Sequence, residues 1–489
     1  MINLKGEEEK LDKAVKIAEE KEVILPTFSQ MKDPEKIPDE IKNRLEDVGL
    51  WEIHPLNLFR ITWKNEATRT GGLYDGVNCI ELPSSLTGVN ARIIALVGKW
   101  FPTGAHKVGA TYGCLVPELV TGQFDPAEER AVWPSTGNYC RGGAYNSRLL
   151  GCKSIAILPE GMSRERFEWL SGIADEVIKT PGSESNIKEI FDKCHELEEN
   201  RDDIKIFNQF DELGNHLWHY EVTGEAMLEA FSSLAGDKKL KGVVLTSGSA
   251  GTLGSADRVK EEYPPARLAV GEALQCPTLL YNGYGAHRIE GIGDKHVPWV
   301  HNVRNTDMVM GIDDRDAMNL IRLFNTEVGR NYLVDEGVPE ETIENLDLLG
   351  ISSIANMLGA IKFARYYELG EEDVIMTVFT DSMELYESRV EEMASAGKYG
   401  REQAAVDFHK CLQGQNIDHI QELSYYEKKR IHNLKYYTWI EQQGREVEEL
   451  NAQWYDHEDY WGDLHDMTEE IDNLIEKFNK RSGLLEELT

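Results

Sequence analysis

The sequence predicts an α/β fold in which helices cover mainly parallel sheets. Between about residues 90 and 390, short β-branched runs alternate with amphipathic helical segments, and Gly, Ser and Asn cluster at the junctions. The apolar runs are continuous rather than alternating, which is typical of strands buried on both faces. These runs are ARIIALVG, KSIAILPE, KIFNQF, GVVLTSG, ARLAVGEAL and DVIMTVFT.

The segments on either side of this region have a different composition. Residues 1–84 begin with a charged helical pattern and continue as irregular sequence around Trp51, so we expect an extension that packs on the main body. Residues 391–489 are rich in Glu, Asp, Tyr and Trp. One helical face of that segment carries Met467, Ile471, Leu474, Ile475 and Phe478. This spacing predicts an acidic helical C-terminal extension.

Length, charge and cysteine usage narrow the functional classes. A chain of 489 residues is long enough for several domains. The formal charge of −34 disfavours nucleic acid or an anionic membrane as the main partner, since both attract basic surfaces. No secretory signal and no run of 18 apolar residues is found, so we expect a cytoplasmic protein. The seven scattered cysteines contain no C-x-x-C pair and indicate reduced thiols.

A small-residue junction late in the chain could bind a phosphate. The strand GVVLT is followed by Ser247-Gly-Ser-Ala-Gly-Thr-Leu-Gly254 and then by a helical pattern. Small residues let backbone N–H groups converge, and a helix N-terminus adds partial positive charge. A tight turn without a ligand remains an alternative. A Rossmann loop is less favoured because GxGxxG is missing, and a P-loop is excluded because no Gly-Lys-Ser/Thr follows.

Two further stretches carry candidate polar groups. Trp133-Pro-Ser-Thr-Gly-Asn-Tyr139 could present hydroxyl, amide and turn N–H groups to a carboxylate or a ring hydroxyl, or could be only a polar turn. In FPTGAHKVGA, Lys107 lies among small residues. A lysine enclosed in an apolar loop has a lowered pKa and becomes an amine nucleophile, although surface lysines are commoner. The preceding His106 could pack near a bound phosphate or face solvent.

One histidine pattern raises the question of a metal site. His216 and His219 are three residues apart, with Glu221 nearby. On a helix such a pair is more often polar surface than a metal site, so no metal is predicted.

The order of these features resembles the fold type II pyridoxal-phosphate enzymes, the superfamily of tryptophan synthase β, cysteine synthase and cystathionine β-synthase. PTGAHK is similar to the P-T-G-S-x-K lysine motif of cysteine synthases, and its Gly-Ala-His-Lys end to tryptophan synthase β. STGN resembles the T-S-G-N asparagine loop, and SGSAGT the G-T-G-G-T phosphate loop. GAHRIEGIGDKHVP (285–298), GISS (350–353) and TDSMELY (380–386) resemble later segments of the same superfamily, in the same order.

The resemblance implies a two-domain tryptophan synthase β-like fold with a helical C-terminal appendage. Residues 85–390 would form the catalytic core, with a mobile small subdomain at about 120–225. A homodimer is expected from the family.

The resemblance also implies the roles of individual residues. Lys107 would hold pyridoxal 5'-phosphate as an internal aldimine and then act as general base, with His106 beside the cofactor. Asn138 would bind the ring hydroxyl, and Ser382 would face the pyridine nitrogen. The neighbouring Asp381 is expected to be an exposed turn residue. The cofactor phosphate would be held by Gly248, Ser249, Ala250, Gly251 and Thr252, and the substrate by Ser135, Thr136, Gly137 and Tyr139.

These implied roles predict β-elimination or β-replacement on cysteine, serine or an O-activated serine, through an aminoacrylate intermediate. Tyr139, Cys140 and Arg141 stand where cysteine synthases have a small residue, so the substrate or nucleophile is expected to differ from O-acetylserine and sulfide. Two alternatives remain: a partner-dependent synthase like tryptophan synthase β, and a non-catalytic scaffold of the same fold.

Overall fold

The computed structural model describes residues 1–66, 73–395 and 397–488, and within them the chain forms two sheets, of seven and four strands. The strands are β1 (Cys79–Leu82), β2 (Arg92–Val97), β3 (Arg130–Pro134), β4 (Lys153–Pro159), β5 (Glu176–Thr180), β6 (Ile204–Ile206), β7 (Lys239–Thr246), β8 (Arg267–Ala273), β9 (Met308–Ile312), β10 (Asp373–Phe379) and β11 (Ile420–Glu422). The predicted α/β class, with helices flanking parallel sheets, is confirmed.

The larger sheet has the order β1-β2-β10-β7-β8-β9-β11. Its five inner strands pair in parallel, and the two edge strands are antiparallel to their neighbours. The inner strands are buried on both faces, as their continuous apolar runs predict. Both edges come from segments outside the predicted core, since β1 precedes residue 85 and β11 follows residue 390.

The smaller sheet, β5-β4-β3-β6, is parallel throughout and lies inside the predicted small-subdomain range of 120–225. Its central strands are apolar and buried, whereas β5 and β6 are only partly covered. The mobility of this subdomain stays a prediction.

Helices cover both sheets and the two extensions. In the first half of the chain they are α1 (Glu8–Glu20), α2 (Phe28–Lys32), α3 (Asp39–Leu45), α4 (Ser84–Thr87), α5 (Lys107–Thr121), α6 (Asn138–Leu149), α7 (Arg164–Ile173), α8 (Ile187–Asn200), α9 (Leu213–Trp218) and α10 (Gly224–Ala235). In the second half they are α11 (Gly254–Glu262), α12 (Thr278–Tyr281), α13 (Asp314–Asn325), α14 (Glu327–Asp335), α15 (Glu340–Glu344), α16 (Ile351–Tyr366), α17 (Glu387–Ser395), α18 (Arg401–Val406), α19 (Tyr425–Lys435), α20 (Val447–Tyr455), α21 (His457–Ser482) and α22 (Leu484–Leu488). None of these helices, within the described ranges, is long and apolar enough to cross a bilayer.

The two terminal extensions pack on each other as well as on the core. The α21 residue Asn479 exchanges two hydrogen bonds with the backbone of Leu25, at 2.9 and 2.8 Å. Asp472 accepts from the backbone N–H groups of Phe28 and Ser29, the first residues of α2. The predicted apolar face of α21 is directed inward, with Ile471 and Ile475 fully buried. The C-terminal region is therefore largely helical as predicted, and it also contributes the short edge strand β11.

Candidate active site

A cavity that opens to solvent lies where the carboxyl ends of strands from both sheets meet. This edge is where ligands bind in parallel α/β sheets, because loops from several strands converge there. Its lining includes the sequence-predicted residues Lys107, Ser135, Thr136, Asn138, Tyr139, Gly248, Ser249, Ala250 and Thr252. Four others, His106, Gly137, Gly251 and Ser382, do not line it.

Lys107 is the first residue of α5, and its side chain points toward the phosphate loop. Its Nζ donates a hydrogen bond to Ser249 Oγ at 2.9 Å. Burial lowers the pKa of Lys107 to about 8, so a substantial fraction of the amine is neutral near physiological pH. Close packing fixes the helix, because a Cβ on Gly109 would lie 2.0 Å from the Trp218 ring.

The phosphate loop follows β7 and turns sharply into α11. Ala250 adopts a left-handed conformation with φ of 64°, which orients the loop backbone before the helix begins. Asn215 stabilises the loop, because its Nδ2 donates to Ser249 Oγ at 3.2 Å and to the Gln209 carbonyl at 2.8 Å. Gly251 abuts the same side chain, since a Cβ there would lie 2.0 Å from Asn215 Oδ1. Gly251 thus shapes the loop without lining the cavity.

The Ser135–Asn138 loop connects β3 to α6 on the opposite wall. The Ser135 hydroxyl accepts from the Gly137 N–H at 3.1 Å, which holds the turn closed. Gly137 has φ of 155°, and a Cβ there would collide with the Arg166 guanidinium at 2.5 Å. Only glycine fits at this position, so the turn exposes its neighbours to the cavity.

Asp381 is fully buried, so the expectation of an exposed turn aspartate is wrong. Its Oδ2 accepts hydrogen bonds from Asn138 Nδ2 at 2.6 Å and from the Tyr386 hydroxyl at 2.7 Å. Burial raises the pKa of Asp381, while Arg166 and the two donors oppose that rise. The carboxylate therefore orients Asn138, and this role was missed because Asp381 is distant from Asn138 in sequence.

Arg166 connects this cluster to a second buried carboxylate. It is fully buried, donates to the Tyr386 hydroxyl at 2.7 Å and pairs with Glu290 at 2.5 Å. Glu290 also pairs with Arg389 at 2.6 Å. A buried guanidinium is stable only when hydrogen-bonded carboxylates compensate its charge, as here. Arg166 therefore supports the side of the cavity formed by Asn138, although Arg166 does not line the cavity itself.

His106 and Ser382 are buried outside the cavity. His106 faces neither solvent nor the cavity; its Nε2 is 3.4 Å from Thr380 Oγ1, and its ring packs near His219 and Trp63. Thr380, which directly follows β10, lines the cavity, whereas Ser382 does not. The cofactor roles assigned to these residues stay predictions.

His216 and His219 are buried, so their interpretation as polar surface is wrong. The His219 Nδ1 is paired with Thr223 Oγ1 at 2.9 Å. His216 Nε2 lies 3.1 Å from His465 Nε2, with the two rings parallel to within 3° and their centroids 5.4 Å apart. The nitrogens thus face each other as in an N–H···N hydrogen bond. The nearby Asp257 accepts from Asn302 at 2.7 Å and lies 3.6 Å from His216 Nε2, so the three side chains form one buried cluster.

Two carboxyl groups in the cavity wall were missed from the sequence, Glu184 and Asp294. Glu184 lies in the turn between β5 and α8, and Asp294 directly follows the Gly291-Ile-Gly293 segment. Asp294 lies within the segment GAHRIEGIGDKHVP (285–298), so its acidic side chain could have been identified from the sequence as a candidate site residue.

Comparison with known proteins identifies the family. A family described as pyridoxal-phosphate dependent enzyme matches residues 80–381. Cysteine synthase of Staphylococcus aureus is 31% identical over 286 residues, covering 58% of this chain and 84% of that protein. A probable cysteine synthase of Bacillus subtilis is 29% identical over 302 residues, which cover 61% of this chain and 89% of that protein. The fold is similar to that of a hydrogen sulfide-producing enzyme from Fusobacterium nucleatum, with a TM-score of 0.54 and 23% sequence identity. The similarity covers 63% of this chain and 95% of that chain. The chain belongs to the pyridoxal-phosphate-dependent enzymes of fold type II.

Proposed function

We propose that this enzyme catalyses β-elimination or β-replacement on a small amino acid, such as cysteine, serine or an O-activated serine. The observation that carries the proposal is the position of Lys107 Nζ, hydrogen-bonded to Ser249 of the phosphate loop and on the same cavity as Asn138. The relatives named as cysteine synthases support the choice of reaction. A homodimer and a small amino-acid substrate belong to the same proposal.

The residues of the cavity fit pyridoxal phosphate. Lys107 supplies an amine that is partly neutral near pH 7. The Gly248–Thr252 loop and the start of α11 offer small residues and a helix N-terminus to a phosphate. Asn138 Oδ1, which has no hydrogen-bond partner among the described residues, could accept from a ring hydroxyl. When bound, the cofactor supplies an electron sink that labilises the α-proton of an attached amino acid.

The side chains of the cavity would carry out proton transfer and substrate binding. The neutral Lys107 amine can accept the α-proton, because it stands at the cavity with a lowered pKa. The Ser135 and Thr136 side chains line the cavity and would hold the substrate carboxylate. Tyr139 adds an aromatic wall that restricts the size of the β-substituent.

The reaction is tested by adding L-cysteine, L-serine or O-acetyl-L-serine to the cofactor-loaded protein. We expect a change in cofactor absorbance, with release of pyruvate from elimination or formation of a thioether when a thiol is present. Activity that needs a second protein chain would favour the partner-dependent alternative. An absorbance band that no amino acid alters, with no product, would favour the scaffold.

Attachment of the cofactor should depend on pH. Lys107 attacks as the neutral amine, and its pKa is lowered to about 8 by burial. The rate of covalent attachment to the cofactor-free protein should therefore rise about tenfold per pH unit well below 8 and level off above it. Stopped-flow absorbance between pH 6 and 10 measures this profile. A midpoint near the ordinary lysine pKa of about 10.4 would contradict the burial of the amine.

A further inference from the structure

A cluster of two histidines and an aspartate joins three helices outside the active-site cavity. His216 lies in α9, Asp257 in α11 and His465 in α21 of the C-terminal extension. Each side chain offers one atom that could bind a metal, and these three atoms all lie within 4.8 Å of one another. His219 takes no part, because its Nδ1 is paired with Thr223. The histidine that completes the cluster is therefore 249 positions from His216, and the H-x-x-H pattern gave no sign of it.

The distances within the cluster are those of ligands around one ion. His216 Nε2 lies 3.1 Å from His465 Nε2 and 3.6 Å from Asp257 Oδ2. In a tetrahedral zinc site with bonds of about 2.0–2.2 Å, neighbouring ligand atoms are about 3.3–3.6 Å apart. One hydrogen bond between the imidazoles would explain the first distance. It would not explain why a carboxylate oxygen approaches the same nitrogen at a distance too long for a hydrogen bond.

The surroundings of the two imidazoles leave their Nε2 atoms suited to a metal. Burial lowers the pKa of His216 to about 3 and that of His465 to about 2, so both rings are neutral, the form that binds a metal. His465 Nδ1 lies 3.7 Å from a Glu261 oxygen, and the Tyr220 hydroxyl donates to Glu261 at 2.6 Å. A carboxylate on this side favours the proton at Nδ1. Metal-binding histidines are commonly oriented in this way.

The Asp257 carboxylate is buried and held in place, but it lacks a cation. Asn302 Nδ2 donates to its Oδ2 at 2.7 Å, and Asn305 donates to its Oδ1. Among the described residues, no lysine or arginine forms an ion pair with it, and its contact is with the neutral His216. Carboxylates are rarely buried to this degree unless a partner compensates the charge. A metal ion at the cluster would supply that charge.

The cluster can be reached from solvent. Asp257 and His465 line an open cleft at the surface, together with Asn302, His457 and Trp461. An ion could enter through this cleft, and a water molecule there could provide the fourth ligand. Two imidazole nitrogens and one carboxylate oxygen suit Zn²⁺ and similar divalent transition metals, whereas Ca²⁺ and Mg²⁺ prefer oxygen ligands alone.

We propose that His216, Asp257 and His465 bind a divalent transition metal such as Zn²⁺, which links the C-terminal extension to the core. Two of the ligands come from core helices and the third from the extension. The helix α11 begins at Gly254, close behind the phosphate loop, so the ion would join the extension to an element that supports that loop. None of the three residues lines the active-site cavity, and the proposal does not depend on the proposed reaction.

Metal binding is tested on cofactor-loaded protein from which metals have been removed with a chelator. Zn²⁺ is titrated in competition with a chromophoric chelator, and we expect about one equivalent per chain. The variants His465→Gln and Asp257→Asn should each bind Zn²⁺ at least about tenfold more weakly. His409→Ala, which removes an exposed histidine of the same extension, should bind it like wild type. This control also accounts for any zinc held by the cofactor.

A spectrum of the wild-type protein tests the site without relying on the folding of a variant. Co²⁺ replaces Zn²⁺ in such sites, and four-coordinate Co²⁺ gives a visible band at longer wavelengths than the cofactor. We expect this band to appear with one equivalent of Co²⁺ and to disappear when Zn²⁺ is added.

The link to the extension has its own measurements. Zn²⁺ should raise the thermal unfolding midpoint of wild type and of His409→Ala, and it should slow proteolysis of the C-terminal extension. Wild type that binds no Zn²⁺, or ligand variants that bind it as tightly as the control, would overturn the metal site and leave a hydrogen-bonded cluster. Zinc binding with no change in the proteolysis rate would overturn its role in holding the extension.

Discussion

Replacing Lys107 with alanine is expected to reduce turnover by about 10² to 10⁴-fold, because the change removes the positioned amine that transfers the α-proton. The same variant should lose covalent attachment of the cofactor and with it the absorbance band of the lysine-linked form. The environment of Lys107 supports this expectation, since its amine is hydrogen-bonded to the phosphate loop and its pKa is lowered by burial. Turnover of an amino-acid substrate and the visible spectrum are the two measurements.

A matched lysine serves as the control for this variant. Lys153 is exposed and is the first residue of β4. It therefore lies at the amino end of that strand, whereas the cavity lies at the carboxyl ends. Its replacement by alanine should leave both turnover and the visible spectrum unchanged. Full activity in Lys107→Ala, with the cofactor bound, would show that another group transfers the proton.

Replacing Arg166 with leucine is expected to destabilise the protein by about 3–5 kcal/mol, because the change removes a buried cation that pairs with Glu290 and donates to Tyr386. Glu290 retains Arg389, but Tyr386 loses the donor that orients it toward Asp381. The free energy of unfolding from urea titration measures the effect. The cofactor should also bind more weakly, since Asn138 is held through the same cluster.

The neighbouring Arg164 provides the comparison. It is exposed and forms surface ion pairs with Glu165 and Glu391. Arg164→Leu should leave the unfolding midpoint unchanged within error, because exposed pairs contribute little. Equal destabilisation by the two substitutions would contradict the importance of the buried cluster.

The sequence was a good guide to the fold and to the loops that carry the site. Lys107 and the phosphate loop were predicted from the order of motifs that resembles the fold type II enzymes. The structure brings both to one cavity, because strand ends of a parallel sheet meet at one edge. The edge strands β1 and β11 were not predicted. They are three or four residues long, and edge strands are only half covered, so no continuous apolar run marks them.

The polar groups behind the cavity were harder to predict than the loops. Asp381 and Arg166 belong to one buried cluster but are 215 residues apart, and an isolated aspartate or arginine is usually exposed. Burial of His216 and His219 was missed for a similar reason, since α21 of the C-terminal extension covers His216. Pairing across such distances depends on tertiary packing, which local spacing does not encode.

The covalent site of the cofactor is the most direct test of the whole account. The wild-type protein, loaded with pyridoxal phosphate, is reduced with borohydride, digested and mapped by mass spectrometry. We expect a single pyridoxyl-modified lysine in the peptide that contains FPTGAHKVGA, at Lys107, together with bleaching of the visible band. Modification of a different lysine, or a protein that stays colourless after incubation with the cofactor, would contradict the assignment of this cavity as the active site.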